Sequence, residues 1–158
     1  MKRILFVCTG NSCRSVMAQA LLQHRLKQLQ QRLNEPVEVA SAGVFAIEGM
    51  SASRDTVSVL GRLEIDVSGH MARMLTNEMV RDADAIFAME QTHLEEIVQR
   101  VPEAGAKTYL LRTYGLPPNA VTGEANVPDP IGKSREVYEA CLTTIQEAIE
   151  RIATWLVG

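Results

Sequence analysis

The first apolar run, Ile4-Leu5-Phe6-Val7, lies between Lys2-Arg3 and Cys8-Thr9-Gly10. It is too short for a helix and continuous rather than alternating, the pattern of a parallel strand covered on both faces. From Val16 to Leu33 there is neither Gly nor Pro, and Leu22, Leu26, Leu29 and Leu33 recur at spacings of four, three and four. This predicts an amphipathic helix ending at Asn34-Glu35-Pro36. Val37-Glu38-Val39-Ala40-Ser41 then alternates as a strand does and stops at Gly43. Strand, helix and strand in this order form a βαβ unit, whose crossover rule implies a parallel sheet.

The pattern continues with a helix predicted from Ser53 to Leu63, a polar loop from Asp66 to Arg73 and a short helix after Thr76. A third strand is predicted at Ala85–Met89, a helix from Leu94 to Val101 ended by Pro102, and a fourth strand at Thr108–Leu111. Tyr114 to Gly132 holds four prolines and three glycines, too many for a regular element, and long loops in compact domains are usually functional. The last helix carries Val137, Cys141, Ile145, Ile149, Ile152 and Leu156 as one apolar stripe, which makes Cys141 a core residue. His24 and His93 fall on helices and are expected to be solvated. The reading is one α/β domain over residues 1–158, with about four parallel strands and helices on both faces.

Composition narrows the function. Hydrophobic residues make up 46% of the 158 residues and charged ones 22%, an ordinary globular balance that can bury a core. Sixteen Lys and Arg against 19 Asp and Glu give a net charge of -3, so there is no basic footprint for a nucleic acid. The four apolar residues near the N-terminus fall short of the roughly 7–15 of a signal peptide and the roughly 20 of a membrane helix. A soluble protein without membrane partners is expected. Cys8, Cys13 and Cys141 show no C-x-x-C spacing and read as free thiols in a reducing, cytoplasmic setting. With no cluster at metal-ligand spacing, neither a metal nor another cofactor is expected. Gly132-Lys133-Ser134 resembles the end of a nucleotide-binding loop, but Val127 stands where its first Gly is required.

The chemistry concentrates in Cys8-Thr9-Gly10-Asn11-Ser12-Cys13-Arg14-Ser15, where the buried strand turns into the first helix. A loop there aims backbone N–H groups and the positive end of a helix dipole into one concavity, a cradle for a phosphate-like dianion. Arg14, six residues after Cys8, can close the ring with two parallel hydrogen bonds. The amides, the dipole and Arg14 favour the thiolate of Cys8, which becomes a nucleophile aimed at phosphorus. Gly10 is expected to supply a turn conformation closed to other residues, Asn11 to bond the loop, and the Ser15 hydroxyl to bond the Cys8 sulfur. Asp129, fenced by Pro128 and Pro130 in the long loop, is placed to protonate a leaving group, with Asp66 and Glu124 as the next candidates. Cys13 sits close enough along the chain to trap an oxidised Cys8 as a disulfide; filling space beneath the loop is the other reading.

This constellation resembles the low-molecular-weight protein phosphatase family, whose signature C-x5-R-[ST] stands here as Cys8-TGNSC-Arg14-Ser15. Ser41-Ala42-Gly43, His70-x-x-Arg73 and Pro128-Asp129-Pro130 extend the resemblance along essentially the whole chain. It implies a cysteinyl-phosphate mechanism with Cys8, Arg14 and Asp129 catalytic, and Thr9, Gly10, Asn11, Ser12, Cys13 and Ser15 around the phosphate. It also implies Ser41 bonding Asn11, His70 in a structural role beside the loop, and phosphorylated proteins as substrates; a monomer is expected. Three relatives of this pattern compete. Thioredoxin-linked arsenate reductases share the string CTGNSCRS, but they relay oxidation to cysteines after the third strand, where this chain has Met89-Glu90-Gln91-Thr92-His93. Tyrosine-specific members carry a large aliphatic residue in the middle of the loop and aromatics after the Asp-Pro pair; this chain has Ser12 and Ile131-Gly132. Arginine-specific members carry a small hydroxyl residue at that loop position, and Ser41–Ala46 also looks like theirs; they too usually have an aromatic after Asp-Pro, so Ile131 departs from both patterns, and on the other two features phosphoarginine is favoured over phosphotyrosine. An anion-binding module without turnover is the non-enzymatic alternative.

Overall fold

Alternate residues of the first strand, β1 (Lys2–Cys8), face two different cores. In this computed structural model, which describes residues 1–121 and 123–158, Ile4, Phe6 and Cys8 point to one side of the sheet and Leu5 and Val7 to the other. Around β1 lie β2 (Val37–Gly43), β3 (Ala85–Ala88) and β4 (Thr108–Leu110), in the order β2-β1-β3-β4 with every neighbouring pair parallel. The first face is covered by α1 (Arg14–Gln28), α2 (Arg54–Gly61) and α5 (Arg135–Val157), through Met17, Leu22, Leu60, Ile145 and Ile152. The second is covered by α3 (Asn77–Asp82) and α4 (Gln91–Arg100), through Val80 and Ile97. Burial on both faces is why β1 and β3 are apolar without alternation.

The expected α/β architecture is therefore the observed one, with local corrections. The first helix starts at Arg14 instead of Val16 and ends at Gln28, followed by a 3-10 turn at Gln30–Arg32 where an unbroken helix to Leu33 was expected. The helix expected from Leu94 starts three residues earlier, at Gln91, and a further 3-10 segment spans Pro102–Lys107. A short 3-10 turn, Pro118–Ala120, interrupts the long loop, in which Thr122 lies outside the described residues. On α5 the buried stripe is Tyr138, Cys141, Leu142, Ile145, Ala148, Ile149, Ile152 and Ala153, while Val137 is exposed. A helix of 3.6 residues per turn drifts off a strict four-residue row over this length.

The chain leaves β1 towards β2 on one side and returns to β3 on the other, so strand order reverses at β1. Such reversals open a crevice at the carboxyl ends of the strands, which here is the segment after Cys8. Among the described residues, no helix is long and apolar enough to cross a membrane.

Candidate active site

The segment between β1 and α1 curls around the sulfur of Cys8. The Ser15 hydroxyl lies 2.8 Å from Cys8 Sγ, and the Asn11 backbone N–H donates to the same sulfur at 3.3 Å. Cys13, the residue ahead of α1, makes no side-chain capping bond. The N–H groups of Gly10, Ser12, Cys13, Arg14 and Ser15 find no protein acceptor among the described residues. Several donors without a partner among the described residues thus stand together at the positive end of α1, as anion sites require.

Asn11 holds the loop's shape. It is fully buried with φ 53°, and its amide nitrogen donates to Ser15 Oγ at 2.8 Å and to Ser41 Oγ at 2.9 Å. Its Oδ1 accepts the Arg73 backbone N–H at 2.9 Å, and its carbonyl oxygen lies 2.8 Å from His70 Nε2. The Ser41 hydroxyl donates in turn to Gln19 Oε1. The left-handed residue of the loop is therefore Asn11, correcting the expectation for Gly10, where an added Cβ would meet only Ser12 Oγ at 3.7 Å. Asparagine tolerates this region because its short amide bonds locally. The glycine this loop cannot do without is Gly43 at the end of β2: a Cβ there would stand 2.4 Å from the Thr9 carbonyl oxygen and 2.9 Å from the Asn11 nitrogen.

Arg14 is 2% exposed, and its guanidinium is fixed from the far side of the site. Nη1 donates to Glu90 Oε2 at 2.5 Å and to the Val127 carbonyl at 2.8 Å, and Nη2 lies 3.8 Å from Asp129 Oδ2. Asp129 is partly exposed and accepts the Ile131 N–H on Oδ1 at 3.1 Å, a short turn that steers the other oxygen to Arg14. The alternative acids are engaged elsewhere: Glu124 accepts from Asn126 N–H and Asp66 from Ser68 N–H. Ser12 is half-buried on the rim, and Cys13, 4% exposed, sits beneath it against Ser53 Oγ at 3.3 Å and Tyr138 OH at 3.5 Å. Burial and the Cys13 contact push the Tyr138 hydroxyl up to about 12, so it stays protonated. Burial likewise pushes the Cys141 thiol up to about 12, which suits a core residue and leaves it unreactive.

Two residues of the site escaped sequence reasoning. Glu90 was given no role, although it makes the shortest contact to Arg14. His93, expected to be solvated, is instead 3% exposed and lies 2.8 Å from Thr9 Oγ1. The available signal was the spacing Glu90-x-x-His93 ahead of a helix, which the structure shows to be a reciprocal capping box.

The low molecular weight phosphotyrosine protein phosphatase family matches residues 3–157. A protein-arginine-phosphatase of Geobacillus stearothermophilus is 42% identical over 152 residues, 96% of this chain and 93% of that protein. The low molecular weight protein-tyrosine-phosphatase Wzb of Escherichia coli K12 is 33% identical over 150 residues, 95% of this chain and 92% of that protein. The fold also superposes on a YwlE arginine phosphatase mutant with a phosphorylated active-site serine, with a TM-score of 0.85 and 32% identity over 98% of this chain and 95% of that one. With such matches spanning nearly all of its residues, the chain belongs to the low molecular weight phosphotyrosine protein phosphatase family.

Proposed function

We propose that this chain, a cysteine-dependent protein phosphatase by family, hydrolyses phosphoarginine side chains with Cys8 as nucleophile, Arg14 as phosphoryl clamp and Asp129 as acid. The observation that carries the reading is a thiol at the bottom of a ring of free N–H groups that Arg14 closes. The Cys8 thiolate attacks phosphorus, forming an S–P bond as the P–N bond breaks. The departing guanidine nitrogen takes a proton from Asp129. Water then attacks the phosphocysteine, gives its proton to Asp129 and releases inorganic phosphate and the thiolate. The Ser15 hydroxyl and the Asn11 N–H stabilise the sulfur as it enters and leaves. Arg14 and the loop amides meet the charge that spreads over the three equatorial oxygens. The similarity to a YwlE arginine phosphatase whose active-site serine is phosphorylated supports a phosphoryl group carried at this position.

The preference for phosphoarginine rests on the rim. Ser12 is small, leaves room for a guanidinium and can accept one of its hydrogen bonds. Asp129, with Oδ2 3.8 Å from Arg14 Nη2, is the acid that the departing guanidine nitrogen meets. Three free thiols support a reducing, cytoplasmic setting. Ile131, exposed beside Asp129, offers an apolar wall that a phenyl ring could use, and this favours phosphotyrosine as a second substrate. Replacing Ser12 by Ile crowds the guanidinium and packs on a ring, so Ser12→Ile is expected to move the ratio of kcat/KM for phosphoarginine over phosphotyrosine peptides down by roughly 10–200-fold. A wild type that strongly prefers phosphotyrosine, with a ratio that Ser12→Ile leaves alone, assigns the chain to phosphotyrosine instead.

A further inference from the structure

Buried imidazoles need partners for both nitrogens. Those of His93 are met by two different structures. Nδ1 lies 3.1 Å from the Glu90 backbone N–H, and Nε2 lies 2.8 Å from Thr9 Oγ1. A backbone N–H can only donate, so Nδ1 is unprotonated and the ring proton of the neutral imidazole sits on Nε2. His93 therefore donates to the Thr9 hydroxyl, whose own proton remains available to another acceptor. Thr9 follows the nucleophile directly, and its carbonyl takes the Phe45 N–H at 2.9 Å. The other end of the loop is tied to the same turn of α4, because Glu90, whose N–H sets the tautomer of His93, holds Arg14.

We propose that His93 is a positioning residue of the phosphate loop, fastening Thr9 to the first turn of α4 while Glu90 fastens Arg14 there. The inference rests on the reading of Cys8 to Arg14 as the phosphate-binding loop. A helix cap by itself needs only one acceptor at this position, which an amide or a carboxylate supplies. An imidazole adds a rigid second arm, and that arm reaches the residue next to Cys8. The charged groups facing the ring are Arg14 from α1, Glu90 at the start of α4 and Asp129 from the long loop. Burial, with Arg14 adding to it, holds the imidazole down at about 4, and it stays neutral near pH 7. A charged ring would give up the Glu90 N–H. It would also draw Glu90 Oε2, 3.9 Å from Nε2, away from the Arg14 guanidinium.

The two nitrogens can be tested separately. In His93→Asn the amide oxygen stands near the place of Nδ1, so the cap survives and the arm to Thr9 is lost. In His93→Gln the amide nitrogen stands near the place of Nε2, so the arm survives. With p-nitrophenyl phosphate as substrate and inorganic phosphate as competing ligand, His93→Asn is expected to lower kcat roughly 10–100-fold, since small misplacements near a reacting centre cost on this scale. His93→Gln should stay within about fivefold of wild type, the cost of one ordinary hydrogen bond. Thr9→Val should lose as much as His93→Asn, and the double variant no more than either, which keeps the test open should one variant fail to fold. Wild-type kcat in His93→Asn, or a loss confined to His93→Gln, overturns the inference alone. A wild type without Cys8-dependent turnover overturns the phosphatase reading and this inference with it.

Discussion

The segment Cys8–Ser15 and the segment Val127–Gly132 meet at Arg14, yet they are built in opposite ways. Cys8, Asn11, Arg14 and Ser15 are all at most 2% exposed, and the side chain of Asn11 alone ties the loop to β2, to α1 and to the segment of Arg73. On the other side only Val127 and Pro130 are buried, Val127 anchored by its N–H on the Met89 carbonyl at 2.8 Å, whereas Asp129 and Ile131 are exposed. The proposed nucleophile and its anion cradle are thus part of the core, and the proposed acid hangs on a short exposed arm. A rigid cradle suits a transition state whose charge must be met by dipoles already in place. An exposed acid suits a step in which different leaving groups must enter and depart. Substitutions at the buried side chains of the first segment should therefore disturb fold and chemistry together, and those at Asp129 chemistry alone.

The strongest test of that division is Asp129→Asn, expected to lower kcat roughly 10²–10⁴-fold on poor leaving groups, the range of a lost general acid. The thermal midpoint should hardly move, because the side chain is exposed and, among the described residues, its only backbone partner is Ile131 N–H. The loss should shrink on phenyl phosphates whose phenol needs no proton. Equal losses across leaving groups place the acid elsewhere, with Glu90 then the nearest carboxylate to Arg14.

A pair of glycines sharpens the comparison at the next level. Gly43→Ala drives a Cβ to 2.4 Å from the Thr9 carbonyl oxygen and so must displace the phosphate loop, which should cost about 1–3 kcal/mol of stability and roughly 10²-fold in turnover. Gly132 has φ 74° but open space around it, so Gly132→Ala should cost about 1–2 kcal/mol of backbone strain and little activity. Similar stability losses with very different activity losses are the expected pattern, read from denaturant melts and p-nitrophenyl phosphate assays on the same preparations.

The last effect expected falls on stability alone, as a dependence on pH. The His93 imidazole falls from 6.5 to about 4 on folding, so between these values the unfolded chain binds a proton that the folded one does not. Stability from this group is complete above about pH 6.5 and lost as the pH falls towards 4. In His93→Gln the slope of unfolding free energy against pH over that window should flatten; an unchanged slope removes His93 as its source.

How far the sequence could be read follows the same division. β1, the loop after it and the position of Cys8, Arg14 and Ser15 were legible because a buried strand, a loop and a helix follow one another with no other apolar run nearby. The partners of Asn11 were only partly legible: the family pattern pointed to Ser41 and His70, but the bond from Arg73 N–H depends on how residues 43–50 pack against 72–75. His93 was misplaced for a specific reason. It was placed on a helix and read as solvated, whereas the helix starts at Gln91 and not at Leu94, which makes His93 its third residue, turned in towards Thr9. Boundary errors of a few residues are ordinary in sequence reading, and here one such error hid a buried contact to the site. The role of Glu90 could not be read at all, because an acidic residue ahead of a helix is usually a cap, and its contact to Arg14 spans 76 positions.

The central claim is that the phosphoryl group passes through the Cys8 sulfur. The most direct measurement is acid quench of the wild type during turnover of a phosphoarginine peptide, followed by mass spectrometry of the peptide that carries Cys8. The account predicts a phosphoryl adduct on Cys8 that appears before phosphate release and is absent from Cys8→Ser, which should not turn over. Steady release of phosphate by Cys8→Ser, or turnover by the wild type with no adduct at any quench time, would contradict it.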